Sequence, residues 1–470
     1  MKNLKQLYFP ILTLLTLLPF QNCSPFDASQ KVTSSSSSAT DTSGGSSVIL
    51  PPATGSFEVY PGCEAPATSF TRTLYADPTS GLDSNDGSAA APLRTVSAAF
   101  LSHKVQPGDK IIAKAGNHGA LNVTQSTNAE LASSNAWVLV EGEDGAIFSS
   151  VNLSGVSRIV ISHFEVSSPG YTGNLVSLNR TTHVVVANSA IYSTKDTSSW
   201  TANTWINGAA SGVGVADGTC SSIVHNVVKN VRFGIVAVTN SSLPPANRIN
   251  TLFFENTIQY FSADGFRPNA SNVLFKNNRI LDVLVNDTDG DENHDDAIQG
   301  FSLGPWGSVN FENVVIDGNW VQESTEPATR FRAGEQGISV FDGLYTNIAI
   351  RNNVVICSSW HGISLYGPDH GVIENNTVVG IDPRMTSWIS IVASKAETGS
   401  HPAIAPIIRN NIAAKFLTLT RDEMTATNNF EIPTTEGAAN YVKYDLSTQI
   451  FDPHLRPTSS AFGKGAGVYP

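Results

Sequence analysis

One stretch near the middle of the chain, residues 286–301, carries an unusual density of acidic side chains. It reads NDTDGDENHDDAIQGF and holds six carboxylates around one histidine, His294. Carboxylates so close together repel one another, so the chain must gain something that offsets this cost. Three interpretations account for the stretch: a calcium loop, a cluster of catalytic acids, or a solvated turn with no further role.

The calcium interpretation follows from the preference of Ca²⁺ for carboxylate oxygens. Asp287, Asp289 and Asp291 alternate as they do at the start of a calcium-binding loop. The stretch is not an EF-hand, because Glu292 stands where that loop requires glycine. We therefore predict a different oxygen-rich site whose ligands are Asp287, Asp289, Asp291 and Asp295.

Two motifs that recur through the second half of the chain predict its architecture. One motif joins two apolar strands at an asparagine, as in NVLFKNNRI, NIAIRNNVV, HGVIENNTVV and APIIRNNIAA. We expect each asparagine at a tight bend, since asparagine tolerates the left-handed conformation. These asparagines are Asn256, Asn278, Asn319, Asn353, Asn376 and Asn411. The other motif is a strand led by a small residue, as in DGFRP, DAIQGF, QGISVF and HGISLY. Their alternation predicts an all-β parallel β-helix, in which a coil buries its apolar face only by stacking on the next.

Alignment of the second motif places polar residues in register. The expected column contains Phe233, Asp264, Asp296, Gln336, His361 and Ser387. Arg267 and Gln299 begin a neighbouring column, and we expect Gln299 to point outward beside Arg267. Because neighbouring coils lie about 4.8 Å apart, His361 is expected about 10 Å from Asp296. The acidic stretch therefore leads into a coil directly beside Asp264.

Residues 70–470 resemble the pectate-lyase-like, right-handed parallel β-helix proteins. LYADPTSGLDSNDGSAAAPLRTVSAAF and VQPGDKIIAKAG are similar to the opening module of that group, and FDPHLRPTSSAFGKGAG is similar to its closing segment. The resemblance implies a single-stranded solenoid of about ten coils. It also implies an N-terminal cap helix over 92–104, with Leu93, Val96, Phe100 and Leu101 on one helical face.

The same resemblance implies an action on polysaccharides, although the group also includes hydrolases, epimerases and phage tailspikes. In its lyases, calcium neutralises a uronate carboxylate and acidifies the adjacent proton, which a basic side chain then abstracts. Arg267 is the nearest candidate base by register, with Asp264, Asp296 and His361 completing the catalytic set. The resemblance thus leads us to expect a calcium-assisted polysaccharide lyase.

A glycoside hydrolase resembling the polygalacturonases is one alternative, because ADGF, HDDAI and WHGISL occur in the order seen in those enzymes. Asp264, Asp295 and Asp296 would then supply a general acid and a water-activating base, with His361 tuning the cluster. The chain departs from that pattern in three ways. Trp360 replaces a glycine, an additional coil intervenes, and the Arg-x-Lys expected after the histidine is missing.

A non-catalytic surface protein that binds carbohydrate or has a structural role is the other alternative. The acidic stretch would then be only a solvated turn. Trp306 and Trp360 are expected in loops or strand ends near the polar column, where their flat faces suit stacking on pyranose rings. With Gln299 and Gln336, they are the predicted substrate-binding residues.

The first residues of the chain predict export. Lys2 and Lys5 precede an apolar run, 7–20, that is too short for a comfortable membrane span. Cys23 follows directly and resembles the lipid-modified cysteine of bacterial lipoproteins. We divide the chain into a signal peptide (1–22), a Ser/Gly/Pro-rich tether (23–56) and a β-helix domain (57–470). The expected location is the cell surface or the exterior. Two alternatives stay open: a lipid on Cys23 as the sole membrane contact, or ordinary signal cleavage nearby that removes Cys23 or leaves it free.

Composition narrows the classes of partner. A net charge of −12 argues against nucleic acid, since no basic face would neutralise phosphates. Charged residues are only 14% of the chain and glycines number 37, which favours strands and turns over exposed helices. Cys63, Cys220 and Cys357 are odd in number and far apart, so neither a disulfide framework nor a metal site is predicted. The oligomeric state is not predicted.

Overall fold

The computed structural model describes residues 57–239, 250–285, 295–301, 310–341, 343–396, 399–417 and 424–469. Three long parallel sheets run through these residues, and the chain visits them in a repeating order. Sheet 1 has thirteen described strands, sheet 2 has twelve and sheet 3 has eleven. The chain is therefore a right-handed parallel β-helix, as predicted, with more coils than the expected ten.

The strands of the three sheets stack in register. Sheet 1 contains Arg72–Ala76, Asp109–Ala113, Val138–Gly142, Ser157–Ser162, Thr182–Ala187, Ser221–Val224, Thr251–Phe254, Val273–Lys276, Val315–Asp317, Ala349–Arg351, Val372–Glu374, Ile407–Arg409 and Thr425–Thr427. Sheet 2 contains Gly116–Asn117, Ala146–Phe148, Glu165–Ser167, Ala190–Tyr192, Val227–Val231, Thr257–Phe261, Arg279–Val283, Trp320–Gln322, Val354–Cys357, Thr377–Gly380, Ile412–Ala413 and Phe430–Glu431. Sheet 3 contains Ala120–Thr124, Ser150–Ser154, Asn174–Asn179, Ser211–Ala216, Ile235–Val238, Phe266–Asn269, Asp296–Gly300, Gln336–Val340, His361–Tyr366, Trp388–Val392 and Lys415–Leu417.

Shorter strands and helices lie outside the three long sheets. Three short strands form a fourth parallel sheet, Asn310–Glu312, Leu344–Thr346 and Pro368–Asp369. Two antiparallel pairs are present, Ser394–Ala396 with Gly399–His401 and Tyr441–Asp445 with Ile450–Leu455. The described helical segments are Val96–Leu101, Ala129–Ala132, Thr204–Gly208, Thr434–Glu436 and Gly437–Asn440. Among the described residues, none of these helices has the length and apolar character needed to cross a membrane.

The interior of the solenoid is a continuous apolar column, because the inward residues of each strand stack on their neighbours in the next coil. Phe253 and Phe275 illustrate this packing, because they pair in adjacent strands of sheet 1 and their ring centroids lie 6.2 Å apart. Both side chains are fully buried. The stack holds each strand at a fixed height, and so it fixes the spacing of the side chains that point outward.

The predicted asparagines form a buried ladder where each coil passes from sheet 1 to sheet 2. The side-chain amide of Asn353 donates to Asn376 Oδ1 at 3.0 Å and to the carbonyl of Ile316 at 3.0 Å. The prediction of a left-handed conformation is wrong for the ladder residues themselves. The preceding residue takes that conformation, for example Asn352 with φ 55° and Asn375 with φ 55°. The left-handed residue turns the chain, and the next asparagine uses its amide to satisfy buried backbone groups.

The N-terminal helix is shorter than the predicted 92–104 and spans Val96–Leu101. Thr95 caps its first turn by accepting a hydrogen bond from Ala98 N at 3.1 Å. Val96 and Phe100 are fully buried on the helix as predicted. The prediction is wrong for Leu93, which is buried but precedes the helix and pairs with Ala76, and for Leu101, which is 62% exposed. The helix ends at Leu101, and this leaves its last side chain outside the core.

The segment 57–70 lies on the outer face of sheet 1, and we call it the N-terminal strap. Phe57, Tyr60 and Phe70 pack against an apolar cluster on that face. A disulfide joins Cys63 to Cys220 across 157 residues of sequence. The prediction that the cysteines form no disulfide is therefore wrong for this pair. Cys357 remains a free, buried thiol.

Candidate active site on the outer face of sheet 3

Four consecutive coils of sheet 3 repeat one local pattern, a polar residue, a small residue, an inward apolar residue and a second polar residue. The pairs are Asp264 with Arg267, Asp296 with Gln299, Gln336 with Ser339, and His361 with Ser364. In every coil the two polar side chains contact each other. We call this set the polar strip.

The small residue of each coil is required by the close stacking of the coils. A Cβ atom added to Gly337 would lie 2.3 Å from the carbonyl oxygen of Gly362 in the next coil. Such a contact would push the coils apart. The repeated glycine therefore allows successive polar residues to stay in register.

The predicted column is confirmed through most of its length. Asp296 pairs with Gln336 in adjacent strands, and Phe266 pairs with Ile298, which sets Asp264 beside Asp296. The prediction fails at the last position, because a register shift places Trp388 rather than Ser387 opposite His361. Ser387 is instead buried, where its hydroxyl donates to the carbonyl of Ser359 at 2.7 Å.

The Arg267 guanidinium is held from three directions. Its Nε donates to Oδ2 of Asp264, a carboxyl that is 1% exposed. Its plane lies 4.2 Å from the ring centroid of Phe233 and 5.2 Å from that of Phe301. A guanidinium keeps its charge in proteins and offers several donors in a fixed fork. Arg267 is thus a preorganised positive charge.

A cavity of about 240 Å³ lies beside Arg267 on the outer face of sheet 3. Its walls come from the coils that precede Arg267, and Phe233 borders it as well. The polar groups that line it are Asn174, Ser177, Ser211 and Arg267. A small anionic group in this cavity would therefore meet one cation and several hydrogen-bonding side chains.

Asp296 and Gln336 continue the strip. Gln299 Nε2 donates to Asp296 Oδ2 at 2.9 Å, and Ser339 Oγ donates to Gln336 Oε1 at 3.3 Å. Asp296 has no exposed surface, whereas Gln299 and Gln336 are partly exposed. The carboxylate therefore fixes the orientation of the amide above it.

His361 closes the strip among aromatic rings. Its Nδ1 lies 2.8 Å from Ser364 Oγ. The imidazole meets the Trp388 ring edge-on at 5.2 Å and the Phe341 ring at 5.1 Å. These contacts leave the imidazole little freedom to rotate, so its position relative to Ser364 is fixed.

Two buried glutamates behind the strip were not predicted. Glu335 has no exposed surface, and neither of its carboxyl oxygens has a hydrogen-bond partner among the described residues. Glu323 is 2% exposed and accepts hydrogen bonds from Ser358 N at 2.7 Å and from Glu335 N at 3.2 Å. Glu335 directly precedes Gln336, as Asp295 precedes Asp296. Alignment of these two strands could therefore have pointed to Glu335 as the equivalent of Asp295.

Burial controls the protonation of these two carboxyls. Desolvation raises the pKa of Glu335 well above its ordinary range, and the negative charges of Glu323, Asp296, Asp295 and Asp282 raise it further. Desolvation also raises the pKa of Glu323, although hydrogen bonds from Ser358 and Glu335 oppose the shift. Glu335 therefore keeps its proton at pH values where an exposed glutamate has lost it.

The described residues do not by themselves fit a calcium site. No group of three or more histidine, cysteine, aspartate or glutamate side chains within the described ranges is arranged to hold a metal ion. Asp264 is engaged by Arg267 and Asp296 by Gln299. Of the predicted ligands, Asp295 is buried beside the strip, whereas Asp287, Asp289 and Asp291 lie outside the described residues.

Other predicted positions also fall outside the described residues. Trp306 and Cys23 belong to this group, as do the signal peptide and the tether. Trp360 is described and lies directly before His361, at the C-terminal end of the polar strip, with 50% of its surface exposed. The structure therefore brings together Asp264, Arg267, Asp296, Gln299, Gln336, His361 and Trp360 on one face.

Several solved structures are similar to this chain over most of its length. No protein-family model matches the sequence, and a search of curated proteins finds no match. Among solved structures, the pectate lyase Pel9A is 16% identical, with 83% of this chain and 91% of that chain covered and a TM-score of 0.40. A rhamnogalacturonan lyase is 13% identical, with coverage of 85% and 100% and a TM-score of 0.43. The A-module of the Azotobacter vinelandii mannuronan C-5 epimerase AlgE4 is 11% identical, with coverage of 72% and 91% and a TM-score of 0.46. The assignment of the parallel β-helix rests on the three long parallel sheets of this chain itself.

Proposed function

We propose that this protein is a polysaccharide lyase that acts on a uronate-containing polymer at the polar strip of sheet 3. The observation that carries the proposal is the Arg267 guanidinium, which is fixed by Asp264 and two aromatic rings at the edge of a cavity that also presents Asn174, Ser177 and Ser211. A fixed cation in a partly buried site binds a carboxylate strongly, because water screens the attraction less there. It also lets a chain with a net charge of −12 accept an anionic polymer.

Arg267 has a chemical role beyond binding. When the proton beside the uronate carboxylate leaves, negative charge moves onto the carboxylate oxygens. A positive charge already in place stabilises that state without reorganisation. Because an arginine side chain does not give up its proton in proteins, this proposal assigns charge stabilisation to Arg267 in place of the predicted proton abstraction.

Proton abstraction is assigned to Asp296, the next carboxylate along the column. An aspartate can remove a proton from the carbon beside a carbonyl group when that group is electrostatically stabilised. The electrons of the broken C–H bond form a carbon–carbon double bond, and the glycosidic C–O bond breaks. Solvent then protonates the leaving oxygen. Asp296 has no exposed surface in the substrate-free structure, so the proposal requires that substrate binding uncover it.

Calcium dependence is a separate part of the proposal. Its ligands would be Asp287, Asp289 and Asp291 together with Asp295, and the step described above does not depend on a metal. Turnover measured with and without a chelator decides this part alone.

The test is an activity panel of uronate polysaccharides, in which an unsaturated product is followed by its ultraviolet absorbance. The wild type should generate that product from at least one polymer. Arg267→Gln should lower kcat/KM by about 100-fold or more, the usual effect of removing a fixed charge-stabilising group. Arg409→Gln is the matched control, because Arg409 also pairs with a carboxylate, Glu374, but lies on sheet 1.

Three outcomes would change the proposed function or its site. New reducing ends without unsaturated product would favour the hydrolase, with Asp264 and Asp296 as the acid and the base. Binding of polymers without any cleavage would favour the non-catalytic surface protein. Equal activity of Arg267→Gln and Arg409→Gln would remove the polar strip from the mechanism.

A further inference from the structure

Trp360 is an exposed aromatic side chain at the C-terminal end of the polar strip. Half of its surface, 50%, is open to solvent, whereas the aromatic side chains of Tyr345 and Phe311 are 1% exposed. A large apolar ring on the surface costs free energy that burial would recover. A ring kept exposed beside a polar strip is therefore a candidate contact for a ligand.

The backbone at Trp360 is anchored. Its carbonyl accepts hydrogen bonds from Gly362 N at 3.0 Å and from Trp388 N at 2.8 Å. The Trp360 ring lies nearly parallel to that of Trp388, with an interplanar angle of 8° and a centroid separation of 6.2 Å. Trp388 is itself held, because its Nε1 donates to Ser364 Oγ at 3.2 Å. The Trp360 ring is thus supported from behind and loses little conformational entropy on binding.

A polar group borders this aromatic surface. His361 contacts Trp388 edge-on, and its Nδ1 lies 2.8 Å from Ser364 Oγ. A pyranose ring has the complementary features, an apolar face of C–H groups and a rim of hydroxyls. The apolar face fits the Trp360 ring, and the hydroxyl rim fits the polar side chains next to it.

We propose that Trp360, backed by Trp388 and bordered by His361, is a stacking subsite for one pyranose ring of a polysaccharide. The identity of the ligand rests on the proposed function, whereas the site itself rests on the geometry of these three side chains. His361 lies two coils from Asp296, a distance of about 10 Å. A chain placed at Asp296 must therefore extend beyond the sugar at the reacting bond before it reaches Trp360.

This separation predicts a dependence on chain length. Oligosaccharides too short to span from Asp296 to Trp360 gain nothing from the subsite. Longer oligosaccharides gain the stacking contact, and their affinity should rise by about tenfold over that of the short ones, which corresponds to about 1.4 kcal/mol.

The experiment measures the affinity of uronate oligosaccharides of increasing length by isothermal titration calorimetry. It uses the full chain carrying Asp296→Asn, so that the ligand is not consumed. Trp360→Ala in that background should abolish the gain with length, and Trp360→Phe should restore part of it. Phe462→Ala is the matched control, because Phe462 is a comparably exposed aromatic residue, at 45%, near the C-terminus.

The outcomes separate this inference from the proposed function. A gain with length that persists unchanged in Trp360→Ala overturns the subsite, even if the wild type cleaves the polymer. Loss of the gain in Trp360→Ala supports the subsite, even if the wild type binds the polymer without cleaving it. If the chain binds no uronate oligosaccharide of any length, the subsite and the proposed function both fail.

Discussion

Replacement of Glu335 by glutamine should change how the stability of the protein depends on pH. Glu335 is fully buried, and its two oxygens lack hydrogen-bond partners among the described residues. Its pKa is raised well above the ordinary value of 4.5 by burial and by neighbouring carboxylates. In the unfolded chain the same carboxyl ionises near its ordinary pKa. Folding must therefore keep a proton on Glu335 that the unfolded chain releases.

The sign of the effect follows from this difference in bound protons. Below the ordinary pKa both states are protonated, and Glu335 adds no pH dependence. As the pH rises above that value, the wild type loses up to about 1.4 kcal/mol of unfolding free energy per pH unit, until the folded carboxyl ionises as well. Glu335→Gln cannot titrate, so its stability relative to the wild type should rise with that slope.

The assay is urea unfolding of the wild type and of Glu335→Gln from about pH 4 to about pH 8, the range over which the difference in bound protons should appear. A chelator is present throughout. The test rests on how the difference in unfolding free energy changes with pH, because burying the glutamine amide costs the same free energy at every pH. Glu436→Gln is the control for the loss of one glutamate, since Glu436 is exposed. A Glu335→Gln curve parallel to that of the wild type would refute the assignment of a protonated, buried Glu335.

In urea titrations, Asn353→Ala should lower the unfolding free energy by about 3 kcal/mol or more, because the buried groups that bond to Asn353 lose their partner. The control is Asn207→Ala at an exposed position, which should change the unfolding free energy by less than about 0.5 kcal/mol. Cys63→Ser should cost about 2–5 kcal/mol by opening a loop of 157 residues, and a reductant should destabilise the wild type while leaving the variant unchanged. Glu58 raises the pKa of His225 by a hydrogen bond at 2.7 Å. This stabilisation is present below the ordinary histidine pKa of 6.5 and is lost as the pH rises through the raised value. Glu58→Gln should therefore lower the thermal midpoint between pH 4.5 and pH 6.5, where Glu58 is ionised and His225 is protonated, and change it only slightly in alkali.

The repeating parts of the molecule were accessible from the sequence because each coil imposes the same constraint. The asparagines at 353 and 376 recur since each amide must satisfy the same buried backbone groups. The glycines at 337 and 362 recur since an added Cβ atom would lie 2.3 Å from the Gly362 carbonyl oxygen at the first and 2.4 Å from Val378 Cγ1 at the second. Both regularities follow from stacking, so the column from Asp264 to His361 could be placed before any coordinates were known.

The non-repeating parts could not be predicted in this way. The Cys63–Cys220 disulfide depends on the path of the N-terminal strap across sheet 1, and no local pattern encodes that path. The register shift that sets Trp388 opposite His361 is a local irregularity in sheet 3 that no repeated motif encodes. The burial of Glu323 could not be predicted from the sequence, because it results from the turn that joins sheet 2 to sheet 3 around this residue.

The most direct test of the central claim is the mass of the products that the full chain releases from uronate polysaccharides. A lyase breaks the chain without adding water, so each cut should yield an unsaturated fragment lighter by one water molecule than the corresponding hydrolysis product. The account predicts this lighter product from the wild type and its loss in both Arg267→Gln and Asp296→Asn. Fragments that carry the added water, or unsaturated fragments at an unchanged rate in both variants, would contradict it.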